Sequence, residues 1–273
     1  MAIITISRQV AALGDEIATV VAQRMNYAFI GRQAIEQRII ELGFPSDKLK
    51  KYDERKPGFF ASLAKDRDEY LDYLQTAVLE AAGQQNCILI GRGSFAILEE
   101  LPNLVSLRFV AKDDIRRQRL MKEFSWDEKQ ATQRITESDA NRLGFHKSFF
   151  NLSNEEPSHY HLVMNTGLLD VDSASEIIVT FCRQMVSPEK EAVGRKKLDE
   201  LIKAQHLVNT LVFEHKINVS FLKAVIYDNK VILQGVADSI AVAEKAVGIS
   251  SSIMEGYTVE SAISVVQDFK SYP

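Results

Sequence analysis

The chain is poor in residues that staple or punctuate small folds: two cysteines, one tryptophan and six prolines among 273 residues. Two cysteines cannot by themselves build a disulfide framework or a zinc cluster. Cys87 and Cys182 each sit inside an apolar stretch, so both are expected as buried thiols of a protein in a reducing, cytoplasmic compartment. An excess of positive charge is lacking too. The balance of 33 basic against 37 acidic residues leaves a net charge of −4, without the surplus of Lys and Arg that binds phosphate backbones, so no nucleic acid is expected as a partner. No apolar run approaches the roughly 20 residues of a membrane helix, and Met1–Ser7 lacks the basic flank of a secretory leader. Neither an integral membrane segment nor a leader is expected. There is no Gly-x-Ser-x-Gly elbow for serine hydrolysis. His159 and His161 have no Cys or third His beside them, so no metal site is expected.

What is present is a globular balance, 46% hydrophobic and 26% charged, enough for one large or two modest domains. Ala2–Ser7 is apolar and β-branched, a buried strand, and Gly14–Met25 has helical spacing through Ile17, Val20, Val21 and Arg24. Further strand-like runs are Cys87–Gly91, Val105–Val110 and His161–Met164. Helical patterns separate them: Phe60–Ala82, a helix from the capping box Ser125-Trp126-Asp127-Glu128 toward Arg142, and one from Ser173 to Met185. Continuous apolar strands alternating with helices predict an α/β fold, a parallel sheet with helices on both faces, over residues 1–186. Residues 187–195 are polar and aperiodic and are expected to form a linker. From 196 to 273 the order is α-β-β-α-β, a small α+β domain. Its helix reaches about Glu214, and strands Val219–Tyr227 and Val231–Val236 are joined by the turn Asp228-Asn229-Lys230. A helix follows from an Asp238 cap to about Ser252, then a strand from Tyr257.

Ligands of parallel sheets sit at the carboxyl ends of the strands, which directs attention to Ser7-Arg8-Gln9-Val10-Ala11-Ala12-Leu13-Gly14-Asp15-Glu16-Ile17. A phosphate-binding loop at this position works through glycines, with a Lys and a Ser or Thr at the helix start. Here only Gly14 is of that kind, and an ordinary strand-to-helix turn reads the same way. Arg8 is the loop's one cation. The basic stretch around Tyr52–Phe60, with Lys50, Lys51, Arg55 and Lys56, has the look of a surface loop.

Taken in order, Ile4-Thr5-Ile6-Ser7-Arg8-Gln9, Ile88-Leu89-Ile90-Gly91-Arg92, Ile135-Thr136-Glu137-Ser138-Asp139-Ala140-Asn141-Arg142 and Tyr160-His161-Leu162-Val163-Met164-Asn165-Thr166 resemble the cytidylate-kinase-like family. The resemblance runs from about Met1 to Met185. Asp228-Asn229-Lys230-Val231-Ile232-Leu233-Gln234-Gly235-Val236 resembles the turn, strand and glycine of BON domains. The first resemblance implies a P-loop NTPase-type fold, with ATP and Mg²⁺ as the cofactors of an active enzyme and a pyrimidine nucleoside monophosphate as acceptor. It implies nucleotide binding by Arg8, Gln9, Ala11, Ala12, Leu13, Gly14 and Asp15 of the first loop. Arg92 would hold the acceptor phosphate, and Arg8, Arg116, Arg119 and Arg142 would supply catalytic charge, as forked guanidiniums suit phosphate oxygens.

The departures point the other way. Where the family reads Ser-Arg-Gln-aromatic-Gly-Ser-Gly-Gly-Arg, this chain has Ala11 and Leu13 at glycine positions and Asp15 at the arginine. Each added Cβ narrows the approach of backbone to phosphate, and Asp15 and Glu16 repel an anion. The family's acid at the end of strand three corresponds to Ile90, and His161 stands at a family aspartate. Two functions therefore stay open. One is phosphoryl transfer from ATP to a pyrimidine nucleoside monophosphate. The other is a non-catalytic protein that binds a nucleotide or another small anion, with a protein partner or self-association through residues 196–273.

Overall fold

The computed structural model describes residues 2–49, 52 and 64–266, with side chains from 67 onward in the last stretch. The chain divides into two compact units, Met1–Arg195 and Lys196–Pro273. Most of the basic stretch at 50–60 and the first turn of the helix expected from Phe60 lie outside the described residues. Among the described residues no helix is long and apolar enough to cross a membrane.

In the first unit β1 (Ile3–Arg8) is the middle strand of a five-stranded sheet. β2 (Ala28–Ile30), β3 (Cys87–Ile90), β4 (Leu104–Val110) and β5 (Leu162–Asn165) complete it in the order β2-β3-β1-β4-β5. Every neighbouring pair is parallel, so helical crossovers must return the chain to the same end each time. The crossovers are α1 (Gly14–Met25), α2 (Arg32–Glu41), α3 (Ser46–Leu49), α4 (Ala64–Gly83), α5 (Ser94–Ile97), α6 (Asp113–Phe124) and α7 (Glu128–Phe150), and α8 (Val171–Met185) follows the last strand. The edge strand β2 is too short for any periodicity, which is why the sequence pattern did not reveal it.

The two faces of this sheet differ. Ile4 and Ile6 of β1, Ile88 and Ile90 of β3 and Leu107 and Phe109 of β4 point to one side, where Ile17 and Val21 of α1 and Ala174 and Ile178 of α8 close over them. Each such side chain contributes roughly 1.5–3 kcal/mol on burial. The alternate residues Thr5 and Ser7 of β1 and Ser106 and Arg108 of β4 point to the other side, and all are buried. These residues form a buried polar stripe that ends at the carboxyl end of the central strands. Cys87 and Cys182 are free and buried, and burial pushes both thiols up to about 12, leaving them unreactive.

Helix ends follow local chemistry, with two corrections. The helix expected from a Ser125 capping box starts instead from Asp127, whose carboxylate accepts from Gln130 N–H while the Gln130 side chain accepts from Asp127 N–H. Ser125 is the left-handed residue that ends α6. The stretch 187–195, expected as aperiodic linker, is helical from Pro188 on. Ser187 Oγ accepts from Lys190 N–H, and α9 (Pro188–Asn209) carries Glu189 and Glu191 in its first turn. Pro at the first helical position forfeits no hydrogen bond.

The second unit is built on the later part of α9. Its sheet has the order β6 (Val219–Tyr227), β7 (Lys230–Ala237), β8 (Thr258–Val265). β6 and β7 form an antiparallel hairpin, and α10 (Ile240–Ile253) carries the chain to β8, parallel to β7. Leu207, Leu211, Ile226, Leu233 and Ala246 fill the core between helices and sheet. The helix expected to reach Glu214 ends in a π turn at Thr210–Glu214. Gly235 has φ +151, and a Cβ there would lie 2.6 Å from Val219 Cγ1 and 2.9 Å from Ser220 O. Glycine is what lets the two strands approach beside the bulge at Ser220–Lys223.

One contact makes the first unit sensitive to acid. His161 Nδ1 accepts from Ser106 N–H at 2.9 Å and lies 2.8 Å from Ser106 Oγ, which requires a neutral ring with its proton on Nε2. Burial first, and the Lys190 ammonium second, hold its pKa below the ordinary 6.5. The unfolded chain therefore binds the proton first as pH falls. The contribution is present above pH 6.5 and is lost on acidification through the lowered pKa. The thermal midpoint should drop toward pH 5, and drop less in His161→Asn, whose amide oxygen can accept the same N–H without titrating; equal acid slopes for the two proteins would refute this.

Candidate active site at the carboxyl ends of the central strands

The loop between β1 and α1 is anchored before it turns. Gln9 N–H donates to Phe109 O at 3.0 Å, Gln9 Oε1 accepts from Ala111 N–H at 3.0 Å, and Ala12 N–H reaches Gln9 O at 3.3 Å. The first two tie the loop to the end of β4, and the third closes the turn on itself. Ala11 and Leu13, at the positions where the resemblance implies glycine, have φ of +58 and +56. A left-handed conformation costs a residue with a Cβ about 1–2 kcal/mol. The turn that glycines would make easy is thus kept without them. Leu13 caps α1 and offers its first-turn N–H groups no side-chain oxygen. A helix start left without a side-chain cap can receive an anion on its amides and dipole.

Gly14 is needed for close approach: a Cβ there would lie 2.7 Å from Arg8 Cγ. The Arg8 stem therefore crosses Gly14, and its Nε sits 3.7 Å from Oδ2 of Asp15, whose side chain is 63% exposed. The Asp15 carboxylate lies beside Arg8 at the solvent edge. Val10 and Ala11 pack with Trp126 against Leu120, Ala131 and Ile135 of the α6–α7 hairpin, so the apolar residues in the loop are contacts for this helical arm.

The arginines expected on phosphate fall into different settings. Arg142 and Arg8 line one crevice with Ser7, Gly91, Gly93 and His146. Arg92 is 1% exposed and left-handed, with Gly91 and Gly93 on either side also at positive φ. Its Nη1 donates to Tyr52 O at 2.9 Å and Tyr70 Oη at 3.1 Å, and its Nη2 to Glu36 Oε1. Burial, and then Arg32 and Arg8 nearby, lower its pKa to about 9. Arg116, 2% exposed, is held between Asp113 at 2.6 Å and Asp139 at 2.8 Å. Burial disfavours its charge, but the bonds to Asp139 and Asp113 outweigh this and raise its pKa. Arg119 donates through Nη1 to Ala11 O at 2.9 Å and through Nη2 to Thr166 O at 2.7 Å. Burial lowers its pKa, against an opposing pull from Glu16.

Several members of the site had no local signal in the sequence. Arg108 is 4% exposed, donates to Ser7 Oγ at 3.2 Å and lies 5.7 Å from the Tyr160 ring centroid. Its one clue is a cation at an inward position of an apolar strand. Glu36, whose Oε1 also accepts from Arg32 Nε at 2.6 Å, and Tyr70 come from α2 and α4. His146 lies one turn beyond Arg142 and stacks near Phe95. Gly93 combines φ +68 with a Phe150 ring carbon 2.2 Å from where its Cβ would stand.

For a polyphosphate the loop fits, through its left-handed turn, the uncapped start of α1 and Arg8. For a Mg²⁺ the oxygen donors nearest the loop are Asp15 and Glu16 in the first turn of α1, beside the oxygens of the phosphates themselves; Ile90 is buried in the apolar core, and among the described residues no group of three His, Cys, Asp or Glu would hold a metal by itself. The Arg116 pairing predicts an asymmetry. Asp139→Ala removes a largely buried partner and should lower the unfolding free energy by about 3 kcal/mol in urea. Asp113→Ala, at an exposed carboxylate, should cost under about 1 kcal/mol. Equal losses would mean that Asp139 is not the partner Arg116 depends on.

A sequence model of the cytidylate kinase-like family matches residues 3–168. No curated protein matches the chain. Among solved structures, an uncharacterized protein from Eubacterium ventriosum is similar at 20% identity and TM-score 0.55, over 67% of this chain and 98% of that one. That similarity is one of fold. A shikimate kinase from Bacteroides thetaiotaomicron, at 12% identity and TM-score 0.42, aligns over 67% of this chain and 98% of its own. A gluconokinase from Sinorhizobium meliloti, also at 12% and 0.42, aligns over 67% and 92%.

Proposed function

The chain belongs to the cytidylate kinase-like family, and on that premise we propose that the unit Met1–Arg195 binds a nucleoside triphosphate, ATP, with its phosphates over residues 8–15. The observation that carries this is the left-handed backbone at Ala11 and Leu13. A turn that costs free energy and receives anions is kept although its glycines are gone, and strain of this kind collects at functional sites. The roles follow from position. Arg8 meets the phosphates, the amides of Leu13 and Gly14 cradle them, and Gln9 fixes the loop to β4 while its carbonyl holds the Ala12 N–H. Mg²⁺ would arrive on the triphosphate's own oxygens, and no step here depends on it.

Binding without turnover is the favoured reading, because the partners of Arg92, Arg116 and Arg119 are groups of the protein itself. For Arg92 to hold an acceptor phosphate, that phosphate must displace Glu36. Phosphoryl transfer to a pyrimidine nucleoside monophosphate is the second reading, supported by the meeting of Arg8 and Arg142 at one crevice. Residues 196–273 are read as a BON-like interaction module, for a protein partner or for self-association. The hairpin turn at Asp228–Lys230, Gly235 and the exposed Tyr227 and Val236 on the sheet face opposite the core support that reading.

A thermal-shift panel tests both readings with ATP, CTP, CMP, UMP and dCMP, each with and without Mg²⁺. A ligand at about a hundredfold its dissociation constant stabilises by about 2.7 kcal/mol. ATP should raise the midpoint in wild type and lose most of that effect in Arg8→Ala. No shift with either triphosphate would end the nucleotide reading. Formation of a nucleoside diphosphate from CMP, UMP or dCMP with ATP, followed by chromatography, would promote the second reading over the first.

A further inference from the structure

Loop 9–13 holds a left-handed turn at Ala11 and Leu13 without the residues that adopt it freely, so its shape must be imposed from outside. The carbonyl oxygens show by what. Arg119 Nη1 donates to Ala11 O at 2.9 Å, and Thr166 Oγ1 donates to Ala12 O at 3.0 Å. The same guanidinium reaches Thr166 O through Nη2 at 2.7 Å, which couples the two donors. Thr166 N–H in turn donates to Val110 O at 2.9 Å, so the pair is anchored to the end of β4.

Carbonyls drawn toward α6 and the β5 end leave the amides of Leu13 and Gly14 to face the other way, toward an incoming anion. We infer that Arg119 and Thr166 are positioning residues that hold the loop carbonyls in the absence of glycine, so that Arg119 serves nucleotide binding through the backbone it braces and not by touching phosphate. This assignment rests on the nucleotide reading for its functional consequence. Its structural half, the bracing of the loop, stands apart from any ligand. It also explains how Ala11 and Leu13 can occupy glycine positions while the turn survives.

The competing role for Arg119 is direct contact with the phosphates, and a glycine rescue separates the two. ATP dissociation constants are measured by calorimetry on the full chain, at a temperature where melting curves show every variant folded. Arg119→Ala should weaken ATP by about tenfold or more, and Thr166→Val should weaken it in the same direction by a smaller factor. The double variant Arg119→Ala with Ala11→Gly should return to within about threefold of wild type, because glycine adopts the turn unaided. No recovery in the double variant would overturn the brace and make Arg119 a phosphate ligand.

A second readout needs no nucleotide. The Ala12 amide, bonded to Gln9 O, should exchange its proton about tenfold faster in Arg119→Ala than in wild type, by local opening. Unchanged exchange would overturn the brace whatever the binding results. If wild type binds no ATP, the nucleotide reading falls, and Ala12 exchange still decides whether Arg119 holds the loop.

Discussion

Parallel pairing on both sides of β1 is the constraint from which the first unit follows. Ile4, Thr5 and Ile6 stand in register with residues of both β3 and β4, and Ile3, Ile4 and Ile6 are buried. A slip of one residue would turn the apolar set toward the polar side, so the register is held firmly. The chain must therefore leave the sheet at one place, Ser7–Arg8–Gln9, with Ser7 directed toward Arg108 and Gln9 toward the end of β4. The loop, the start of α1 and the crevice beside Arg142 all inherit their position from this strand.

Charge is arranged around that point with unusual thoroughness. A guanidinium taken out of water needs partners, and the low dielectric that makes it costly also makes a good partner effective. Arg92 has Glu36 and two tyrosines, Arg116 has two aspartates, Arg119 has two backbone carbonyls, and Arg108 has a serine hydroxyl and an aromatic face. In a site designed only for phosphates these forks would wait for ligand. Here several of them hold the protein together at the place where a ligand would enter. Glu36 stands in contact with both Arg32 and Arg92 as a fixed anion.

The second unit solves a simpler problem. A three-stranded sheet with one apolar face needs a cover, and α10 and the end of α9 provide it through Leu207, Leu211 and Ala246. Its β7–β8 pair is parallel, which demands the crossover helix, while the tight turn after Tyr227 permits only an antiparallel β6–β7 pair.

Much of this was legible in one dimension. Apolar β-branched runs named β1, β3 and β4, because a strand buried on both faces needs no polar alternation, and a shorter apolar run named the edge strand β5. Helical spacing named α1, and the turn at Asp228–Lys230 named the hairpin. Ordered segments around Arg8, Arg92, Arg142 and Thr166 pointed to the kinase-like family, and the family match bears that out. Short or edge pieces escaped, as β2 did, since three residues cannot show a period. Local cap chemistry misled at Ser125, where Asp127 is the better acceptor.

The sequence by itself determined which residue types reach the ends of the central strands, for that depends on periodicity and order alone. It could not determine what each arginine touches there. Those partners, Glu36 for Arg92, Asp139 for Arg116 and the Ala11 carbonyl for Arg119, lie 56, 23 and 108 positions away. Only the tertiary structure shows these partners within the protein, because a guanidinium's partner is set by geometry across the fold and by the cost of burying its charge.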